Sequence, residues 1–299
     1  MIEAVDVTKR FGEKIALDHV QMLIGDGEIY GLIGSNGSGK STLMRLFSGI
    51  YAPEDGTVRM DGVPVFDRAW IKEKIAYVGD TPFFFPYATV KEMARFYRKM
   101  FPRFDNRLYQ SLLEVFPLDY KARISAMSKG KQRQAALITA IAASPKYLLL
   151  DEAFDGLDPV ARKTLKNILI DRAETCAMTT VIASHNLSEL EFLCDHAGLL
   201  HEGKLIFSDS VEHLKGQLHK VQAVFRQVPE KTAFADLKLL KIERSGSLLQ
   251  MIVRGDEADI MRKIERLSPI FSESVEPSLE EILMYELEGS GYDAGTLSY

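Results

Sequence analysis

The chain has 299 residues, of which 46% are hydrophobic and 26% charged, and its formal net charge is −5. Length and composition are those of an ordinary globular protein with about two domains. The acidic balance argues against nucleic-acid binding, two cysteines are too few for a disulfide scaffold, and no apolar run reaches the roughly 18 residues of a membrane span. We therefore expect a cytoplasmic protein whose contact with a membrane would require a partner.

The first 24 residues predict an antiparallel ribbon. Residues 2–8 alternate apolar and polar side chains, a turn follows at Phe11, and a second alternating run surrounds residues 16–20. Phe11 could stack on an adenine base or simply pack in the turn, and its position alone does not decide between the two.

A phosphate-binding loop is predicted directly after the apolar strand at 28–33. Residues 34–41 fit the pattern G-x-x-x-x-G-K-[ST], and an apolar-periodic helix follows. The glycines allow a tight turn whose N–H groups point at phosphates, and the helix N-terminus adds positive charge. Lys40 is predicted to contact the β- and γ-phosphates, and the Ser41 hydroxyl to bind Mg²⁺. The predicted nucleotide contacts of this loop are Ser35, Asn36, Gly37, Ser38, Gly39, Lys40, Ser41 and Thr42.

Residues 53–87 combine short strands with an aromatic loop. Strands are predicted around the Asp61-Gly62 turn and at 75–78. The loop at 81–87 has three consecutive phenylalanines between two prolines, which disfavour a regular element. Its side chains could anchor the loop in the core or dock a partner protein.

A helical insertion is expected over about 88–145. Helical periodicity runs from Val90 to about Phe116, Ser128 opens a further helix that ends near Ala143, and no strand is predicted before Lys146.

Acidic residues and a histidine follow two later strands. The strand at 147–150 ends in Asp151 and Glu152, and the strand at 179–184 ends in His185. Because α/β sheets bind ligands at the carboxyl ends of their strands, we expect Asp151 to hold Mg²⁺ opposite Ser41 and Glu152 to polarise water. His185 becomes a candidate γ-phosphate contact.

A small α+β domain is expected over 216–299, after a first domain at 1–215. Four strands and two helices are predicted there. The second helix starts with a capping box formed by Ser278 and Glu281. The polar tail from Gly289 is expected to fray.

The combination of motifs resembles the nucleotide-binding subunit of ABC transporters over residues 1–215. The phosphate loop is followed by Ser128-Lys129-Gly130, by Asp151-Glu152, by a loop at 155–158 and by Ser184-His185, in the family's order and spacing. The segment at 127–132 is similar to that of the antibiotic-efflux subgroup of type-2 exporters. That subgroup has one ATPase domain and a small C-terminal domain per chain.

The resemblance implies a P-loop α/β fold with an antiparallel ribbon, and a site for ATP and Mg²⁺. It assigns Ser128 and Gly130 to the signature motif, Asp158 to the D-loop and His185 to a switch position. It also makes Phe11 the adenine-stacking residue. Hydrolysis is implied within a head-to-tail pair of ATPase subunits, either a homodimer or a heterodimer, and a membrane-spanning permease subunit would dock near residues 83–87. The subunit would then lie on the cytoplasmic face of the membrane.

Two positions depart from the family pattern. Asp80 and Lys131 stand where the family usually has glutamine. As an oxygen donor, Asp80 is predicted to be a third Mg²⁺ ligand, with Ser41 and Asp151. The alternatives to an exporter subunit are a non-transport ABC ATPase and a weakly hydrolysing regulatory binder.

Overall fold

The computed structural model describes residues 1–289 and divides the chain into two units, with the boundary between Ser208 and Asp209. The boundary expected after residue 215 falls inside a helix at Val211–Gln217, which belongs to the second unit. Apart from Gly289 itself, the tail expected to fray lies outside the described residues.

Two sheets build the first unit. Its strands are β1 (Ile2–Phe11), β2 (Lys14–Ile24), β3 (Ile29–Ile33), β4 (Asp55–Met60), β5 (Val63–Pro64), β6 (Ile75–Val78), β7 (Tyr147–Asp151), β8 (Thr179–Ser184), β9 (His196–His201) and β10 (Lys204–Ser210). One sheet has the order β2-β1-β4-β5, and its paired strands are antiparallel. The other has the order β10-β9-β3-β8-β7-β6.

The helices of the first unit are α1 (Lys40–Phe47), α2 (Ala69–Lys72), α3 (Val90–Met100), α4 (Asn106–Val115), α5 (Lys129–Ala142), α6 (Pro159–Cys176) and α7 (Leu187–Leu190). As predicted, only helices and a 3₁₀ turn lie between β6 and β7 in the chain. The long helix α6 was not predicted. It buries Ala161, Leu165 and Leu169 at i, i+4 spacing while the rest of its surface is largely polar, so its apolar signal is narrow.

Parallel pairing in the larger sheet gathers the loops that carry the site. Strands β6, β7, β8, β3 and β9 run parallel, and every residue of β3, β7 and β8 is buried. The segments after β3, β6, β7 and β8 therefore leave the same edge of the sheet. This arrangement confirms the predicted α/β class.

The opposite edge of that sheet is tied to the smaller sheet by the Asp61 carboxylate. Asp61 accepts hydrogen bonds from Lys146 Nζ at 2.5 Å, from the Tyr147 hydroxyl at 2.6 Å and from Lys74 Nζ at 3.2 Å. Partial burial opposes ionisation, but these donors hold the pKa of Asp61 well below its ordinary value.

We expect Asp61→Asn to lower the free energy of unfolding by roughly 1–3 kcal/mol at pH 7, the usual range for hydrogen bonds to a charged group. Because the folded-state pKa is depressed, this stabilisation is complete above the unfolded pKa of about 3.9 and is lost as the pH falls towards the folded value. Urea unfolding of both proteins between pH 7 and pH 3 should show the difference narrowing on acidification. Glu114→Gln, an exposed site on α4, is the control. A difference that does not change with pH would contradict this account.

The described part of the second unit, residues 209–289, contains one antiparallel sheet. Its strands are β11 (Leu218–Val224), β12 (Lys238–Ser245), β13 (Leu248–Arg254) and β14 (Phe271–Val275), in the order β12-β13-β11-β14. Its helices are α8 (Val211–Gln217), α9 (Glu257–Glu265) and α10 (Leu279–Gly289). Ile260 and Ile264 of α9 join the core formed by one face of the sheet. Ser278 and Glu281 form the predicted capping box.

Candidate functional site

The loop between β3 and α1 has a backbone that requires glycine. Gly39 has a φ of +111°, and a Cβ added there would lie 2.6 Å from the carbonyl oxygen of Ala16. A side chain at this position would both strain the backbone and collide with a neighbouring strand. The glycine that the phosphate-loop pattern requires at position 39 is therefore also required by the backbone conformation and by the close approach of Ala16.

Lys40 is buried at the start of α1. Its Nζ donates to the carbonyl oxygens of Gly34 at 2.5 Å and Ser35 at 3.1 Å, and lies 3.8 Å from Glu152 Oε1. Burial lowers the pKa of Lys40, although the nearby carboxylates of Glu152 and Asp151 oppose this shift. A buried cation of this kind is stabilised by an anionic ligand.

A cavity of about 310 Å³ opens beside this loop. Among the predicted site residues, its lining includes Phe11, Asn36, Gly37, Gly39, Lys40, Ser41, Thr42, Asp80 and Glu152. Ser38 is buried, and its Oγ has no hydrogen-bond partner among the described residues. Phe11 is about half exposed and meets Tyr51 edge-on, with ring centroids 5.5 Å apart, so an exposed aromatic surface lies at the cavity.

Asp151 supplies a buried oxygen suited to a cation. Its Oδ2 accepts a hydrogen bond from the Tyr77 hydroxyl at 3.2 Å, and the nearby Ser41 hydroxyl favours its ionised form. Its Oδ1 is buried without a hydrogen-bond partner among residues 1–289. Burial raises the pKa of this carboxyl, and the nearby donors only partly offset the effect. An unpaired carboxylate oxygen next to a hydroxyl fits Mg²⁺, which would neutralise phosphate charge there when bound.

Glu152 and His185 are brought together from the ends of neighbouring strands. Glu152 Oε2 lies 3.0 Å from His185 Nδ1. Burial raises the pKa of Glu152, against the opposing charges of Lys40 and His185. A carboxylate held beside a buried cation and an imidazole, at the wall of the cavity, can orient water and accept its proton.

Ser128, Gly130 and Asp158 lie elsewhere, in the lining of a second cavity of about 460 Å³. Within residues 1–289 the two cavities share no lining residue. Ser128 caps α5 by accepting from Lys131 N at 3.4 Å, and Asp158 caps α6 by accepting from Ala161 N at 2.9 Å. The signature and D-loop residues of one chain therefore do not join its own phosphate loop.

The signature and D-loop segments nevertheless contact each other closely. A Cβ added at Gly130 would lie 2.4 Å from the carbonyl oxygen of Gly156, so glycine alone permits this approach. The backbone N–H of Asp155 in turn donates to the Glu152 carbonyl at 3.2 Å.

Asp80 lies at the rim of the first cavity with its side chain 61% exposed. Its Oδ1 is 3.5 Å from Arg133 Nη2. Arg133 is buried in α5 and also donates to the carbonyl oxygens of Gly79 at 3.3 Å and Asp151 at 3.4 Å.

Sequence reasoning missed two residues of this site, Arg133 and Tyr77. Arg133 precedes the strongly apolar part of α5, and a buried arginine there needs acceptors. An arginine beside an apolar helix segment could have marked Arg133 as a candidate site residue. Its acceptors could not be identified, because they lie 18 or more residues away along the chain. Nothing in the sequence distinguishes Tyr77 from an ordinary strand residue.

A small apolar groove of about 100 Å³ lies beside the aromatic loop. It is lined in part by Phe83, Phe84, Met93, Phe96 and Tyr97. Phe83 is 73% exposed, which excludes it as a core anchor.

None of the helices described in residues 1–289 has the length and apolarity needed to cross a membrane.

Known proteins are similar to this chain in both sequence and fold. The ABC transporter family model matches residues 17–155. The chain is 27% identical to the ABC transporter ATP-binding protein YtrB of Bacillus subtilis, over 97% of this chain and 99% of that protein. It is 30% identical to the bacitracin transport ATP-binding protein BcrA of Bacillus licheniformis, over 74% of this chain and 73% of that protein.

Solved structures agree with these matches. An ATP-binding subunit of an ABC transporter superposes with a TM-score of 0.67 at 25% identity, covering 72% of this chain and 92% of the other. The cassette MJ0796, in a dimeric structure bound to ADP and phosphate, has the same fold, with a TM-score of 0.65 at 23% identity and coverage of 71% and 99%. The chain therefore belongs to the ATP-binding proteins of the ABC transporter family and is an ABC-type ATPase.

Proposed function

We propose that this ATPase powers a membrane exporter, and that it works as a head-to-tail pair of subunits. The observation that carries the proposal is the separation of its expected ATP contacts into two cavities, one around Lys40 and one around Ser128. Two chains arranged head to tail would set the first cavity of each against the second cavity of the other, which completes two ATP sites.

The chemistry of the two surfaces supports such a closure. ATP in the first cavity would neutralise the buried Lys40 and leave its γ-phosphate facing the partner. The partner would offer the N-terminus of α5, whose free N–H groups and helix dipole favour an anion. Glu152, positioned by His185, would take the proton of the attacking water. Loss of the γ-phosphate then removes the bridge between subunits.

A role in transport is supported by the relatives, which include bacitracin transport proteins from two bacteria, and export by one relative named as a Nod factor export protein. The exposed aromatic groove is a suitable docking surface for a permease subunit, because it combines apolar area with access from solvent. The second unit, from Asp209 onward, is proposed to be accessory to hydrolysis.

A complementation experiment tests the pair. We expect Lys40→Met and Gly130→Ala each to reduce ATP hydrolysis by roughly 100-fold, the first by removing the phosphate cation and the second by forcing apart the segments at Gly130 and Gly156. Mixing the two variants should restore activity, because a mixed pair has one site with both residues intact. ATP hydrolysis is measured across mixing ratios at constant total protein.

As the control, each variant is assayed alone at the same total protein concentration. ATP binding by Gly130→Ala should stay near the wild-type value, since Gly130 does not line the first cavity. A mixture no more active than its components would exclude shared sites.

The docking surface gives a further prediction. Phe83→Ser should weaken association with the permease by roughly tenfold or more, as expected for an aromatic hot spot, without changing nucleotide affinity. Because Phe83 is largely exposed, folding should be unaffected, whereas a change at the partly buried Phe84 would confuse docking with stability. Co-purification from membranes and thermal unfolding of the isolated subunit measure the two effects. Unchanged co-purification would place the permease contact elsewhere.

A further inference from the structure

We propose that Arg162 is a positioning residue that holds the segment carrying His185 through the buried carboxylate of Glu189. This inference rests on the proposed role of His185 in hydrolysis. Arg162 itself lines neither ATP cavity and would touch no reacting atom.

Arg162 connects two loops from the first turn of α6. Its Nε donates to the carbonyl oxygen of Leu157 at 3.0 Å, and its Nη1 lies 3.0 Å from Glu189 Oε1. Leu157 belongs to the loop after Glu152, and Glu189 to the short helix after His185. The planar guanidinium can satisfy both acceptors at once, which an ammonium group cannot do in the same geometry.

Glu189 connects Arg162 to Ser184 and Asn186, the two residues on either side of His185. Its Oε2 accepts a hydrogen bond from Ser184 Oγ at 3.4 Å. The same Ser184 Oγ accepts from the backbone N–H of Asn186 at 3.0 Å. His185 therefore lies between Ser184 and Asn186, which are joined through the buried Ser184 hydroxyl. Glu189 Oε2 is an acceptor for that hydroxyl at 3.4 Å, beside the Asn186 carbonyl oxygen at 3.5 Å.

The electrostatics make Arg162 hard to replace. Glu189 is buried, and burial raises the pKa of its carboxyl, whereas the Arg162 charge favours the ionised form. Without Arg162 the carboxylate would lose its closest cation in a poorly solvated site. It would then take up a proton or move towards solvent, and Ser184 would lose an acceptor of fixed position.

The inference predicts a loss of turnover that depends on His185. We expect Arg162→Met to lower kcat roughly tenfold or more, because small displacements of a catalytic group are costly, while KM for ATP changes by less than about threefold. Arg162→Lys should keep the charge but reach only one acceptor and give an intermediate kcat. Lys163→Met, an exposed change on the same helix, is the control.

The test is a double-mutant cycle of Arg162→Met with His185→Ala, measured as kcat and KM with thermal unfolding of every protein. If Arg162 acts through His185, the double variant should hydrolyse ATP within about twofold of His185→Ala alone. Losses that multiply would overturn the inference and leave the role of His185 standing. Normal turnover by His185→Ala would overturn both. If Arg162→Met does not fold, the isosteric Glu189→Gln takes its place in the same cycle, with the same expected result.

Discussion

Replacing Glu152 with glutamine is expected to slow ATP hydrolysis by roughly 100-fold or more while leaving ATP binding near the wild-type value. The amide keeps the shape of the side chain and a carbonyl oxygen near His185 Nδ1, but it has no basic oxygen to accept a proton from water. In the proposed pair, ATP that is bound and not hydrolysed should keep the two subunits together. Size-exclusion chromatography with ATP and Mg²⁺ should therefore show a stable dimer.

Glu174→Gln, an exposed change on α6, is the charge-matched control and should behave as the wild type. A Glu152→Gln protein that remains monomeric with saturating ATP would argue against closure of a pair. One that hydrolyses ATP at the normal rate would require a different base.

Removing the carboxylate of Asp80 should affect the dependence of hydrolysis on Mg²⁺. The side chain lies at the cavity rim beside Arg133, so it is available to a cation directly or through one water. We expect Asp80→Ala to bind ATP but to hydrolyse it roughly tenfold more slowly, because it loses a ligand and leaves Arg133 without this partner. Asp80→Gln should remain active and need less Mg²⁺, since it removes a negative charge near the γ-phosphate.

Mg²⁺ titrations of hydrolysis at fixed ATP compare the three proteins, and fluorescent-nucleotide binding measures affinity independently. Equal half-saturation by Mg²⁺ and equal rates would mean that Asp80 only faces solvent.

Local patterns predicted those parts of the fold that depend on neighbours in the chain. The buried strand β7 was recognisable because its apolar run ends abruptly in two acids, and the phosphate loop because its glycines have fixed spacing. Helix α6 was missed because its apolar stripe is narrow. The boundary expected after residue 215 differs from the division after Ser208, because helix α8 at Val211–Gln217 was not predicted.

Contacts between distant segments could be predicted only where parallel strands of one sheet bring them together. The pairing of Glu152 with His185 could be anticipated, because both follow parallel strands of one sheet. The three acceptors of Arg133 and the Arg162–Glu189 pair depend on how helices cross that sheet. Spacing along the chain likewise cannot tell that Ser128 and Lys40 line different cavities.

The close approach of Gly130 to Gly156 would couple the two ATP sites of the proposed pair. Gly130 would meet the nucleotide held by the partner subunit, while Glu152 faces the nucleotide held by its own. Within one chain these positions are linked by backbone, from Gly130 to the Gly156 carbonyl and from Asp155 N–H to the Glu152 carbonyl. In the proposed pair, a nucleotide bound at one site would thus change the affinity for nucleotide at the other, and by thermodynamic reciprocity the effect on binding would be mutual. ATP binding should accordingly depart from the curve expected for two independent sites.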